Sequence, residues 1–167
     1  MTDLYTLDLR LYADAPQTDF SSFRFCTLAA FPDTPDTRRR LYALVRRGVL
    51  DTPGQSGGFE PFEVFEERIF RPCYWAEAGT QVLALDGISW VGLSSLRRTP
   101  TPGVSAFGLT VVLPSYRGRG VATMLKRRAL AFAAARGDHA VSSEVHEHNL
   151  VMRALNERLG FRIRSLS

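Results

Sequence analysis

Leu109-Thr110-Val111-Val112-Leu113-Pro114-Ser115-Tyr116-Arg117-Gly118-Arg119-Gly120-Val121-Ala122-Thr123 reads as an apolar strand that ends in a turn rich in arginine and glycine and opens directly into a helix. Such a junction is an anion cradle. The N–H groups of a helix's first turn lack intrahelical partners, and the aligned peptide dipoles place about half a positive charge there. Gly118 and Gly120 let a bulky diphosphate approach the backbone without meeting a Cβ, and Arg117 and Arg119 add guanidinium groups suited to phosphate oxygens. The spacing excludes two common phosphate readers. A P-loop places Lys-Ser or Lys-Thr after its last glycine, where this chain has Val121-Ala122. A dinucleotide fingerprint needs a third glycine, where this chain has Thr123.

Outward from this stretch, the apolar period changes where turn residues punctuate it. Gln81 to Leu85 and Ile88 to Leu96 read as strands joined by the tight-turn pair Asp86-Gly87. After Thr99-Pro100-Thr101-Pro102-Gly103, the segment Val104 to Leu113 completes an antiparallel meander. The next helix is expected from about Gly118 to Arg136, with Val121, Leu125, Ala129 and Phe132 on its buried face and Gly137 ending it. Ala140 to Val145 reads as a strand that this helix delivers parallel to the one ending at Leu113. Asn149 caps a final helix whose Leu150, Ala154, Leu155 and Leu159 face inward, and Gly160 stops it.

The first half carries weaker signals. Tyr5 to Tyr12 alternates as a strand broken by Pro16 and Asp19, with helical segments expected after it. Thr37 is placed to cap a helix from Arg38 to Arg47 that Gly48 ends, and a polar loop runs from Asp51 to Gly58. Pro61 opens a short helix through Phe62, Phe65, Glu66 and Ile69 to Arg71-Pro72. No repeat, low-complexity tract or linker divides the chain, so residues 1–167 are expected to form one domain. The order predicts an α+β architecture: a mixed, mainly antiparallel sheet flanked by helices.

Read as Arg117-x-x-Gly120-x-Ala122, the loop resembles the acyl-CoA pyrophosphate loop of the GNAT superfamily of N-acyltransferases. The resemblance extends to the hairpin Gln81 to Leu96 with its Val91-Gly92 step. It extends also to Asn149-x-x-Met152-x-x-Leu155-Asn156-Glu157-x-Leu159-Gly160-Phe161, which is similar to the family's second signature. The resemblance covers roughly Gln81 to Phe161. It implies a GNAT-like fold and an N-acetyltransferase that moves an acetyl group from acetyl-CoA, a co-substrate, directly to a primary amine on a small molecule or peptide. No metal is implied.

By the same resemblance, the main chain of Val111, Val112 and Leu113 pairs with the pantetheine arm, and an N–H near Val112 faces the thioester oxygen. Arg117, Gly118, Arg119, Gly120, Val121, Ala122 and Thr123 hold the pyrophosphate, while Asn149 and Asn156 reach the pantetheine end or the sulfur. Two family features are absent. Family members often carry a tyrosine at the place of Asn156, where its hydroxyl protonates the leaving thiolate, and asparagine has no proton of useful acidity. The family carboxylate on the strand before the loop is missing too, since Val104 to Leu113 contains neither Asp nor Glu. Glu144 and His146, at alternate positions of one strand, are the candidates for relaying the amine proton. The two absences keep a second reading open, a non-catalytic acyl-CoA-binding or sensing module.

Each candidate also has a purely structural reading. Asn149 can serve as a helix cap alone, Asn156 can be solvated or structural, and Gly118 and Gly120 can serve only a turn. His146, His148 and Glu144 imitate a metal site but lack an HExxH spacing or a cysteine partner. The net charge of +4 comes from arginine clusters and from Lys126-Arg127-Arg128, read as solvated surface because no aromatic residues interleave with them as a nucleic-acid site would need. No run is long enough to span a membrane, and the early aspartates Asp3, Asp8, Asp14 and Asp19 do not suit a leader, so a cytoplasmic protein is expected. Cys26 and Cys73 form no CxxC pair and are expected to be inert thiols. After Phe161 only Arg162-Ile163-Arg164 can form a strand, so the family's closing strand is expected to be short or absent. An uncovered sheet edge invites pairing, which points to a homodimer or to a domain made without its last strand.

Overall fold

A computed structural model describes residues 1–12 and 22–164. Its strands are β1 (Thr2–Asp8), β2 (Arg24–Thr27), β3 (Gln81–Asp86), β4 (Ser89–Arg98), β5 (Val104–Val112), β6 (Ala140–His146) and β7 (Arg162–Ile163). The helices are α1 (Pro35–Leu50), α2 (Phe62–Val64), α3 (Val121–Ala135) and α4 (Leu150–Arg158). Among the described residues seven strands form one sheet in the order β2-β3-β4-β5-β6-β1-β7, antiparallel except for β5 with β6. The expected mixed sheet is therefore present. No described helix is long and apolar enough to cross a membrane.

Alternation along the strands divides the core between the two faces of the sheet. Val82, Ala84, Val91, Val112 and Phe107 pack with Leu125, Ala129 and Leu130 of α3 and Leu155 of α4. On the opposite face Leu83, Leu93 and Val111 meet Leu41, Leu44 and Val45 of α1 and the aromatic cluster of Phe65, Phe70 and Tyr74.

Several boundaries differ from the sequence expectation. β1 leaves the sheet after Asp8, whose carboxylate accepts from the Arg10 N–H and guanidinium and whose carbonyl accepts from Leu11 N, so Leu9 to Tyr12 form turns instead. The expected breakers Pro16 and Asp19 lie outside the described residues. In place of a helix, Arg24–Thr27 adds to the edge of β3. Thr34, not Thr37, caps α1: its hydroxyl accepts from Thr37 N at 3.3 Å, and Pro35 occupies the first helical position. After α2 the chain continues in wide helical turns over Phe65–Tyr74 that carry Pro72 inside them, and a tighter, kinked segment over Trp75–Thr80 leads into β3.

α1 also runs through Gly48, and packing explains why. A Cβ on Gly48 would stand 2.7 Å from Val111 Cβ, so glycine is what lets α1 lie against β5. α3 starts at Val121 rather than Gly118, because Gly118 and Gly120 adopt φ of 75° and 77°, outside the right-handed helical region. Its buried face also differs: Phe132 is 40% exposed, and Lys126 lies inside beside Leu125, Ala129, Leu130 and Ala133. In α4, Leu150 and Ala154 face solvent, and the buried stripe runs through Leu155, Asn156 and Leu159.

The chain itself covers the outer side of β6. β1 pairs with β6 along its whole length, from Thr2 opposite His146 to Asp8 opposite Ala140, and β7 pairs with β1 at Tyr5 and Thr6. β6 is thus covered by the first strand, while the short β7 reaches only Tyr5 and Thr6 on the outer side of β1.

Candidate active site

β5 and β6 pair only from Val104 opposite Ala140 to Phe107 opposite Ser143, and beyond that register they part. The opening leaves the second half of β5 without a neighbour on its β6 side. Leu113 N donates to Val91 O across to β4, so strand alternation turns the Val112 main chain toward the opening. Consistent with that direction, Val112 O accepts from Arg117 Nε at 2.8 Å. The gap holds a cavity of about 270 Å³ lined by Thr110, Lys126, Ser143, Glu144, His146 and Asn149, among others.

At the head of the opening, the turn from Pro114 to Gly120 leads into α3. Among the described residues no side chain caps this helix, its first turn holds no acidic residue, and its first main-chain bond runs from Met124 N to Gly120 O. The N–H groups of Val121, Ala122 and Thr123 are thus left for an external acceptor. Cβ atoms built on Gly118 and Gly120 would meet nothing within 4 Å, so the glycines are not there for packing. A diphosphate fits a concave backbone of this kind, with helix dipole and N–H groups aimed at it.

The two arginines of this turn play different parts. Arg117 is committed to the fold: besides Val112 O it donates to Asp51 Oδ2 at 2.6 Å, tying the turn to the end of α1. Together with Arg47 it holds the Asp51 carboxyl below the usual carboxylate range. Arg119 lies with its guanidinium 5.5 Å from the Tyr116 ring centre and is the freer of the two to meet an anion.

Glu144 and His146 both line the cavity, as their alternation implies, Glu144 exposed and His146 partly covered. His148 N–H donates to His146 Nδ1 at 3.3 Å, and Gly54 lies against the other side of the ring, where an added Cβ would stand 2.6 Å from Nε2. Asn149 Oδ1 accepts from Met152 N at 3.2 Å, so it is a helix cap that also faces the cavity. Asn156 is wholly buried. Its Oδ1 accepts from Lys126 Nζ at 2.5 Å and its Nδ2 donates to Ser143 Oγ at 3.2 Å. It is therefore structural rather than solvated.

Lys126, Ser143 and Asp51 are site residues that sequence reasoning misses. Lys126, in a basic run that reads as solvated, is 1% exposed and lines the cavity, its amine bonded to Asn156. One signal does point to it: Lys126 precedes Ala129 and Leu130 by three and four residues, the spacing of a buried helical face.

The sequence profile of the acetyltransferase (GNAT) family matches residues 49–161, more than half of the chain. Among curated proteins no sequence match is found. Solved structures share the fold. A GCN5-related N-acetyltransferase from Sphaerobacter thermophilus superposes with a TM-score of 0.76 at 20% identity, over 98% of this chain and 48% of the other. The present chain thus spans about half the length of that protein. A ribosomal-protein-alanine N-acetyltransferase from Brucella melitensis gives a TM-score of 0.62 at 19% identity, over 84% and 83% of the two chains. A NatC complex bound to Gag peptide and CoA gives 0.65 at 16% identity, over 82% of each chain.

Proposed function

Because the chain belongs to the acetyltransferase (GNAT) family, we propose that it transfers an acetyl group from acetyl-CoA directly to a primary amine on a small molecule or peptide. One observation carries this reading: the parted strands β5 and β6 open beside an uncapped helix start whose glycines leave the backbone bare. The donor is a second substrate, consumed at each turnover. The N–H groups of Val121, Ala122 and Thr123, with Arg119, meet its pyrophosphate, and the free side of β5 meets its pantetheine arm as an added strand would.

The Val112 N–H is the donor for the oxygen that becomes negative when the amine attacks, a contribution of about 3 kcal/mol where such a donor is preorganised. Binding both substrates in one slot supplies alignment, and no nucleophilic side chain is required for direct transfer. Glu144 and His146, on the β6 side of the slot, are the groups placed to take the amine proton. For the acceptor, one of the similar structures is named a ribosomal-protein-alanine N-acetyltransferase and another holds a peptide, which makes a peptide amine the first class to try.

Calorimetry with acetyl-CoA, followed by thiol release across a panel of alanine- and serine-starting peptides, polyamines, aminoglycosides and free amino acids, tests the proposal. Stoichiometric binding with turnover on one class is expected. Tight binding with no turnover on any class would instead favour the non-catalytic acyl-CoA module, and no binding would overturn both.

A further inference from the structure

The transfer described above leaves one buried cation without a role. Lys126 is the only lysine in the chain and is 1% exposed. Its Nζ donates to Asn156 Oδ1 at 2.5 Å and lies 4.1 Å from the centre of the Phe107 ring and 5.5 Å from that of Phe161. Phe107 and Ser143 are the last paired residues of β5 and β6, and Asn156 is itself held by Ser143, so the amine sits at the fork where the slot begins. Among the described residues no carboxylate pairs with it, and burial alone lowers its pKa to about 7. An ammonium has three N–H bonds, and one is spent on Asn156. The remaining N–H groups are available to an anion formed in the cavity that Lys126 lines.

Resting on the acetyl-CoA reading above, we propose that Lys126 is the catalytic acid of the transfer, donating first a hydrogen bond and then a proton to the thioester sulfur as CoA leaves. The acceptor attacks as the neutral amine, and its nitrogen forms the C–N bond to the acetyl carbon. Its surplus proton passes to Glu144 or His146 and from there to water. When the C–S bond breaks, the electron pair goes to sulfur and the Lys126 proton follows it, so the products are the amide and the free thiol. Water then returns a proton to the neutral Lys126. The transfer runs downhill, since an ordinary thiol holds its proton to about pH 8.5. This arrangement supplies the proton that asparagine at position 156 cannot, and Asn156 in turn aims the amine.

The titratable groups sharing the cavity are Glu144 and His146 of β6. The lining from β5 and α4, including Gly108, Leu109, Thr110, Asn149 and Met152, does not titrate. On α3 itself the charged groups next to Lys126 are Arg127 and Arg128.

Because the chain holds a single lysine, protein labelled with ¹³C at lysine Cε reports Lys126 alone. Its titration is followed in the free protein, with CoA and with desulfo-CoA, while calorimetry reads binding of each. CoA is expected to raise the midpoint by about one unit or more, through the thiolate beside the ammonium, and desulfo-CoA to leave it in place. Equal midpoints with both bound ligands overturn the proposal alone; failure of CoA to bind overturns the acetyl-CoA reading itself. In Lys126→Met, CoA binding is retained, kcat falls by about 10²-fold or more, and the decline of kcat above neutral pH disappears. A variant with full kcat and an unaltered pH profile also overturns it.

Discussion

Arg117 Nε donates to Val112 O at 2.8 Å, so the turn that offers the helix start is fastened to the strand that borders the slot. The same guanidinium reaches Asp51 Oδ2 at 2.6 Å, and α1, β5 and the turn are held at one point. A residue expected from sequence to grip phosphate thus also shapes the cradle. Arg117→Lys cannot reproduce two directed contacts from one planar group. It is expected to weaken CoA binding severalfold, as read by calorimetry, with unfolding barely changed.

Asp51 links that fastening to pH. Its carboxyl is held low by Arg117 first and Arg47 second, so the folded state favours the ionised form. The contribution is complete above the ordinary carboxylate range and is lost as pH falls through the lowered folded value. Asp51→Asn is expected to remove this part of the acid sensitivity, visible as a flatter dependence of Tm on pH between about 5 and 2.

Gly48→Ala tests the seat of α1 on β5. Helix propensity alone would favour alanine by about 1 kcal/mol. The new methyl would stand 2.7 Å from Val111 Cβ, which is fixed to the β5 backbone and cannot yield freely, and 3.0 Å from the more mobile Leu109 Cδ2. A net loss of about 1–3 kcal/mol in urea unfolding is expected, with weaker CoA binding because β5 moves.

Gly120→Ala separates strain from ligand contact. At φ 77° alanine costs about 1 kcal/mol, and with nothing within 4 Å no clash adds to it. A much larger loss in CoA affinity than in stability is therefore expected, since a methyl would intrude where phosphate approaches; equal losses would argue against a diphosphate there.

Lys126 predicts a rise of stability with pH like that of Asp51, but in an alkaline window. Its pKa falls from an ordinary 10.5 to about 7 by burial, so between these values the unfolded chain binds more protons than the folded one. Stability on this account rises with pH through that window and is lowest below it. Lys126→Met is expected to flatten the rise, checked by urea unfolding from pH 6 to 10 in wild type and variant.

Much of this architecture is written locally. The meander from Gln81 to Val112, the crossover through α3 to β6 and the helix capped by Asn149 all follow from apolar period and turn residues, because each is set by neighbours along the chain. The glycine cradle is local as well, a matter of backbone angles within a few residues.

What escaped the sequence rests on residues brought together from afar. β1 slots between β6 and β7, pairing Thr2 with His146, and an alternating strand says nothing about which distant edge it will join. The enclosure of Lys126 was equally silent. A lysine at a helical core spacing can reach out to water along its flexible stem or stay inside, and only the presence of Asn156, Phe107 and Ser143 around its amine decides between them. The chain's own order thus determined the sheet, the crossover and the anion-binding turn, whereas the pairing of β1 with β6 and the buried cation were decided by tertiary contact, since burial and strand pairing depend on partners that sequence neighbours do not specify.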